Sequence, residues 1–269
     1  MNTIAINGKT VLPLCINLLR SQDRKQSVQD QMQSVGVPMN FCHAIDRKYM
    51  VDDATGLPID LHEVTLAAGD RIPGVITPIK IRYTDPSTNM VEVFQYIPPA
   101  MIRSKYVPYT SVLYLGTIGC SLSHLKCLKM FNDSGCDYAL ILEDDIDIIS
   151  KDRGFLHSRL QTYLNEQFHF FLLGTGFHRD YVQNQNGYCN GDVYETAMQY
   201  YSGSSAYLIS REGLNIIKPL VGDFRTVFSA ADEFFGFCQV DLNCRILSTR
   251  NKVFRLHETL VQSTMNDYV

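Results

Sequence analysis

The sequence lacks the features of a membrane-spanning or nucleic-acid-binding protein. Its 269 residues contain no apolar run that approaches the roughly 18 residues a transmembrane helix needs. No block of consecutive basic residues is present, and 24 basic against 28 acidic residues give a formal net charge of −4. At the N-terminus, Lys9 interrupts the apolar stretch that a signal peptide would require. We therefore expect no nucleic-acid partner, no transmembrane segment and no signal peptide.

The cysteines also lack a pattern that would indicate a special role. No Cys-x-x-Cys spacing occurs, which argues against a zinc site. Most cysteines lie in or beside apolar, periodic segments, where a thiol packs like a small hydrophobic side chain. We interpret these as reduced core thiols rather than as disulfides. They are Cys15, Cys120, Cys127, Cys136, Cys238 and Cys244.

Short apolar strands alternate with helical patterns along most of the chain. Predicted strands cover residues 11–19, 40–44, 138–142, 168–173 and 205–209, and predicted helices cover residues 21–35 and 211–217. This alternation predicts an α/β fold with a mostly parallel sheet flanked by helices. With 45% hydrophobic residues the chain can bury a sizeable core, so we expect one domain over residues 1–269.

Residues 50–113 differ in composition from the rest of the chain. They contain seven of the ten prolines and no cysteine. Residues 74–83 and 90–97 alternate enough for two strands, and the turn-forming residues 85–89 lie between them. We predict a Pro-rich insertion within the domain, folded as a β subdomain or flap.

An acidic triplet follows the predicted strand 138–142 directly. Ligands of open α/β sheets bind at the carboxyl ends of strands, where Glu143, Asp144 and Asp145 would lie. Clustered carboxylates need a cation or a hydrogen-bonding shell to stay ionised together, and hard oxygen ligands suit Mg²⁺ or Mn²⁺. The triplet therefore indicates either a metal site or, equally, a solvated acidic turn.

Three further segments allow a functional and a structural interpretation. Residues 119–124 would begin a helix and could bind an anion through its free N–H groups, although helix capping by the serines is the more common role. Asn17, Arg20 and Arg24 could face a nucleotide or be solvated at the surface. Asp232 or Glu233 could act as a general base beside aromatic residues or cap a helix.

Taken in order, these segments resemble glycosyltransferase family 25, the lipopolysaccharide-type β-galactosyltransferases related to collagen galactosyltransferases. The most specific match is the Gly-x-x-Gly-Cys-x-x-Ser-His signature at residues 116–124, joined to Leu-Glu-Asp-Asp at 142–145. The other matching segments are residues 15–24, 41–46, 206–210 and 232–234. Residues 50–113 do not match, and Ala230-Ala231 stands where the family has proline and valine.

The resemblance implies a GT-A, Rossmann-like enzyme that binds a UDP-sugar through Mn²⁺ or Mg²⁺. The implied metal ligands are Glu143, Asp145 and, as a weaker candidate, His257. The residues implied for the donor site are Asn17, Arg20, Arg24, Ser123, His124 and Asp144. The implied reaction is inverting, with Asp232 as the base that accepts the acceptor's proton and Glu233 as the second candidate.

The family also implies the partners and the place of action. We expect a UDP-sugar donor, with galactose preferred and glucose left open, and a glycan or lipid-linked saccharide acceptor of the lipopolysaccharide or lipooligosaccharide type. We expect a cytoplasmic enzyme that can associate loosely with the inner membrane face. Two alternatives are a non-catalytic nucleotide-sugar or carbohydrate-binding protein and a sugar nucleotidyltransferase. The second would be expected to carry a Gly-rich phosphate loop, whereas residues 17–24 contain no glycine.

Overall fold

The computed structural model describes residues 1–59, 78–97, 101–106, 115–174, 189–196 and 204–257. The helices of these residues are α1 Gln22–Ser34, α2 Leu115–Ser134, α3 Phe155–Tyr163, α4 Arg211–Ile217 and α5 Glu233–Leu242, with a 3₁₀ turn at Arg47–Tyr49. The strands are β1 Ile4–Ile6, β2 Lys9–Asn17, β3 Asn40–His43, β4 Met50–Asp52, β5 Ile79–Thr84, β6 Val91–Tyr96, β7 Tyr138–Glu143, β8 Ile146–Ile148, β9 Phe170–Leu172, β10 Cys189–Asn190, β11 Val193–Glu195, β12 Ala206–Ser210, β13 Thr226–Val227, β14 Ile246–Thr249 and β15 Phe254–Leu256. None of these helices is long and apolar enough to cross a membrane.

A nine-stranded sheet forms the centre of the fold, in the order β1-β2-β7-β12-β9-β14-β11-β10. Strand β3 pairs with the second half of β2, on the edge opposite β7. Strands β3, β2 and β7 are parallel neighbours, and so are β9 and β14. Strand β12 runs antiparallel between β7 and β9. The predicted α/β class is confirmed, but the sheet predicted to be mostly parallel is a mixed one, with antiparallel pairs at β1, β10, β11 and β12.

The two faces of the sheet bury two separate parts of the hydrophobic core. Alternate residues of a strand point to opposite faces, so Ala139 and Ile141 of β7 join one cluster while Leu140 and Leu142 join the other. The first cluster contains the apolar residues of α2, α4 and α5, and the second contains those of α1 and α3. The predicted arrangement of helices on both faces is confirmed.

A smaller, four-stranded sheet lies beside the first cluster, in the order β13-β6-β5-β4. Strands β5 and β6 form the predicted hairpin, and Asp85 fixes its turn by accepting hydrogen bonds from Ser87 and Thr88. Tyr83 and Tyr96 of this sheet pack into the first cluster, so the hairpin shares the core of the domain. Much of the predicted insertion, including residues 60–77, 98–100 and 107–113, lies outside the described residues, and its role as a flap stays a prediction.

Helix α2 corrects the prediction that residues 119–124 begin a helix. The helix already includes Leu115, so the N–H groups of residues 119–124 are used within it and are not available for an anion. Instead, the signature fastens α2 to the loop after β3. The Ser123 hydroxyl donates to the Gly119 carbonyl at 2.6 Å and accepts from the Ile45 N–H at 2.8 Å.

We expect Gly119→Ala to lower the free energy of unfolding by about 1–3 kcal/mol, because an added methyl group would force two closely packed elements apart. A Cβ at this position would lie 2.8 Å from the Ile45 carbonyl oxygen. Urea denaturation checks the value. The control Lys129→Ala, on the exposed face of α2, should change it by less than about 0.5 kcal/mol. Equal stability of the two variants would contradict the close approach.

Candidate functional site

The candidate site lies where two parallel strands of the central sheet end. Strand β2 ends at Asn17 and β7 ends at Glu143, and Ile16 is the register partner of Glu143. Asp144 and Asp145 form a turn that leads into β8. Because the strands are parallel, their carboxyl ends bring Asn17 and the acidic triplet together, as the sequence predicted.

Asp144 faces α1 and is compensated by two nitrogen donors. Its Oδ2 accepts from Asn17 Nδ2 at 2.7 Å, and its Oδ1 lies 3.1 Å from Arg24 Nη1. All three side chains are buried. Burial raises the pKa of Asp144, although the Arg24 charge and the Asn17 hydrogen bond oppose the shift. Asn17 also donates to the Ser21 carbonyl, which ties the start of α1 to the same carboxylate.

Glu143 faces the opposite way, towards α2 and β12. Its Oε1 lies 3.2 Å from His124 Nε2 and accepts from Ser204 Oγ at 2.8 Å. The other ring nitrogen of His124, Nδ1, lies 3.0 Å from the Tyr207 hydroxyl. Burial alone would raise the pKa of Glu143, but the hydrogen bond and charge of His124, with the Ser204 hydrogen bond, lower it overall. This carboxylate therefore stays ionised.

Within the acidic triplet, Asp145 is the side chain that its surroundings compensate least. Its Oδ1 is buried and has no hydrogen-bond partner among the described residues. Burial, with the negative charges of Glu143 and Asp144, raises the pKa of Asp145 to about 7, although Arg24 opposes the shift. A carboxylate in this position has a strong tendency to take up a proton or a cation.

The remaining predicted donor-site residues have defined partners. Arg20 forms an ion pair of 2.9 Å with Asp46, the aspartate that ends the matched segment 41–46, and its side chain is 37% exposed. Ser123 is buried, and its hydroxyl is used inside the fold between α2 and the loop after β3. Among the predicted donor-site residues described here, Arg20 thus has the most accessible cation.

His257 lies next to the acidic turn, as its predicted role requires. Strand β15 pairs with β8, and the His257 N–H donates to the Asp145 carbonyl at 2.8 Å. Its Nε2 lies 3.8 Å from Asp147, which also receives a hydrogen bond from Gln31. His257 therefore lies beside the backbone of Asp145 and the side chain of Asp147.

Asp232 and Glu233 stand at the start of α5. Asp232 is the N-cap residue, and its Oδ1 accepts from the Glu233 N–H at 2.9 Å, while Glu233 is buried. Asp232 also affects a residue of α2. The pKa of the Cys120 thiol is raised mainly by burial, then by the charge of Glu143, and then by the charge of Asp232. The capping role is confirmed, and the Asp232 carboxylate lies near the segment that carries His124.

Sequence reasoning missed three residues of this site: Cys120, Ser204 and Tyr207. Cys120, His124 and Glu143 form the set of three potential metal ligands that the described residues bring together, with ligand atoms all within 4.8 Å of one another. The predicted set of Glu143, Asp145 and His257 does not meet that distance among these residues. The spacing of four residues between Cys120 and His124 was the available sign, since it places both on one face of a helix.

We expect Asp145→Asn to stabilise the metal-free protein above pH 7. The pKa of Asp145 rises from an ordinary 3.8 to about 7 on folding, so the folded state keeps a proton that the unfolded state releases between these values. Stability is therefore lost as pH rises through this window and is constant above it. Removing the carboxylate should add about 2–4 kcal/mol at pH 8 and little near pH 4.

Urea denaturation in EDTA at pH 4 and pH 8 measures this difference. The control Asp30→Asn alters an exposed aspartate of α1 that is bonded to Gln26, and it should give no such pH-dependent difference. A gain for Asp145→Asn that is the same at both pH values would contradict the raised pKa.

Two solved structures show a distant similarity to the chain. The chain is similar to protein A197 from STIV, with 17% identity and a TM-score of 0.32, over 50% of this chain and 64% of that chain. It is also similar to a UDP-glucose pyrophosphorylase mutant from Leishmania major in complex with UDP-glucose, with 9% identity and a TM-score of 0.20, over 99% of this chain and 56% of that chain. The chain thus matches less than two thirds of the length of either, and neither score carries an argument.

A family-level match is much more extensive. No curated protein matches the sequence. Residues 12–234 match the model of glycosyltransferase family 25, which is described as a family of LPS biosynthesis proteins. That range contains most of β2, the signature of α2, the acidic triplet and the start of α5. Because the match covers most of the chain, the protein belongs to glycosyltransferase family 25.

Proposed function

We propose that the protein transfers a sugar, with galactose preferred, from a UDP-sugar to a saccharide acceptor with inversion at the anomeric carbon. The observation that carries this proposal is the uncompensated carboxylate of Asp145, at the strand end shared with Asn17 and the acidic triplet. Ligands of open α/β sheets bind at this position. Family membership supports the reaction class, and the GT-A assignment is part of the proposal.

Asp145 fits a divalent-metal ligand. Its buried Oδ1 has no hydrogen-bond partner among the described residues, and Mn²⁺ and Mg²⁺ both accept such an oxygen. Ions of this kind are held by one or two carboxylates together with substrate phosphates, so a complete set of protein ligands is not needed. We propose Asp145 as the first ligand and Glu143 and His257 as further candidates. The ion would supply positive charge at the departing diphosphate.

The other residues around the triplet have positioning and recognition roles in this proposal. Asn17 and Arg24 hold Asp144, which fixes the turn that presents Asp145. Arg20 is partly exposed in its ion pair with Asp46 and is the residue we propose to contact the UDP moiety directly. His124 positions Glu143 through the contact between its Nε2 and Glu143 Oε1. The donor site would thus combine one accessible cation with a rigid acidic turn.

The acceptor hydroxyl must lose its proton as it attacks the sugar, and we propose Asp232 as the base. Its carboxylate lies at the start of α5 and acts electrostatically on Cys120, one turn before His124 on α2. Glu233, which is buried, is the second candidate. The family description supports an acceptor of the lipopolysaccharide type, and we propose action in the cytoplasm with loose association at the inner membrane face.

The proposal is tested by UDP release from a panel of UDP-sugars, with and without Mn²⁺. We expect slow, Mn²⁺-dependent release from one UDP-sugar, and a decrease of about 100-fold or more in Asp145→Asn, because charge stabilisation at the leaving group is lost. The control Asp30→Asn should behave as the wild type. UDP binding without release or transfer from any donor, also with saccharide acceptors added, would instead support a non-catalytic binding protein.

Asp232→Asn tests the base. Asparagine caps helices as well as aspartate does, so the fold should be kept while proton acceptance is lost. We expect transfer to decrease by about 10²–10⁴-fold with UDP affinity unchanged. Single-turnover transfer and calorimetric UDP binding measure the two quantities. Loss of UDP binding would place Asp232 in the donor site instead.

A further inference from the structure

Cys120, which sequence reasoning left out, forms a mixed ligand set with two predicted site residues beside the acidic turn. The Cys120 sulfur, a His124 ring nitrogen and a Glu143 carboxylate oxygen lie within 4.8 Å of one another. Thiolate and imidazole are softer ligands than the oxygen-only triplet, and the combination of Cys, His and Glu suits zinc rather than Mn²⁺ or Mg²⁺. The absence of a Cys-x-x-Cys spacing excludes only the common structural zinc motifs, not a site that is assembled from a helix and a strand.

We propose that Cys120, His124 and Glu143 bind a zinc ion. Three protein ligands and one open position are the arrangement of zinc sites that keep a coordination site for water or substrate. With zinc–ligand bonds of roughly 2.0–2.3 Å, the ligand atoms of a tetrahedral site lie up to roughly 3.8 Å apart. Side-chain rotations can therefore close the set around the ion.

The elements that carry the ligands are held in place. Cys120 and His124 lie one turn apart in the twenty-residue helix α2, and Glu143 is the last residue of the central strand β7. The Ser123 hydroxyl, next to His124, accepts from the Ile45 N–H and so fixes α2 to the loop after β3. Ordering the ligands therefore costs little conformational entropy.

The surroundings of the ligands also match those of metal sites. Ligand histidines bond through their second nitrogen to another group, and His124 Nδ1 lies 3.0 Å from the Tyr207 hydroxyl, which leaves Nε2 directed at Glu143. Glu143 in turn accepts from Ser204 at 2.8 Å. Cys120 is partly exposed, which gives an ion access. On binding, the Cys120 sulfur forms a bond to the metal and releases its proton to solvent. His124 Nε2, which faces Glu143 in the metal-free protein, also releases the proton it carries, because a ligand atom needs a free lone pair.

This site differs from the one proposed for Mn²⁺. It contains Glu143 but not Asp145, and it does not depend on whether the protein transfers a sugar. If both proposals hold, a zinc ion takes Glu143 away from the acidic turn, so zinc should inhibit the transferase when Mn²⁺ is present. The binding experiment below does not use activity as its readout.

Cobalt(II) is the probe, because a cobalt–thiolate bond gives a charge-transfer absorption in the near ultraviolet. We expect this band in the wild type, and competition by Zn²⁺ should remove it. In Cys120→Ser the band should be lost, and the affinity for cobalt should fall by more than about 100-fold. Removing only a group that hydrogen-bonds to a metal ligand already lowers metal affinity by about 10–100-fold. The control Cys136→Ser changes another free cysteine, which is buried and lies outside the proposed ligand set, and should keep the band.

Two measurements keep the result interpretable. Thermal unfolding without metal shows whether Cys120→Ser is folded, and His124→Gln provides a second loss-of-ligand variant that should also lose the cobalt affinity. Asp145→Asn should keep the band, which separates this site from the proposed Mn²⁺ site. Absence of the band from the wild type, or its persistence in folded Cys120→Ser, would overturn the zinc proposal.

Discussion

Three consecutive negative charges, on residues 143–145, have to be accommodated where two buried strands end, and the arrangement of the site follows from this constraint. Arg24 and Asn17 compensate Asp144 from the side of α1, and His124 compensates Glu143 from the side of α2. Asp145 receives no such partner among the described residues, and its pKa is raised to about 7. The fold compensates two of the carboxylates and leaves the third without a comparable partner. This third carboxylate lowers the stability of the protein, which is typical of a functional site.

The compensation depends on helices that pack against opposite faces of one sheet. Helix α1 contributes to one core cluster and α2 to the other, so each helix reaches the strand ends from its own side. The close approach of Gly119 to the Ile45 carbonyl sets the position of α2, and through it that of His124. Hence the family signature acts on the acidic turn in two ways. Gly119 sets the packing of α2, and His124, further into the helix, contacts Glu143 directly.

Much of the secondary structure could be predicted from the sequence, because apolar runs and turn residues are visible within short segments of the chain. The helix 211–217 was predicted with its observed bounds, and the strand 138–142 lacked only its last residue, Glu143. The direction of β12 was not predictable, because a buried strand reads as a similar apolar run whether its neighbours are parallel or antiparallel. Ser204 and Tyr207 were missed because no spacing links them to Glu143 before the sheet is formed.

In the proposed function, Asp145 is a ligand of the divalent cation. Calorimetric titration of Mn²⁺ into the wild type and Asp145→Asn, each with and without UDP, tests it most directly. The account predicts that the wild type binds one Mn²⁺ more tightly when UDP is present, because phosphate oxygens complete the coordination shell, and that Asp145→Asn loses this binding. Equal Mn²⁺ affinity of the two proteins in the presence of UDP would contradict it.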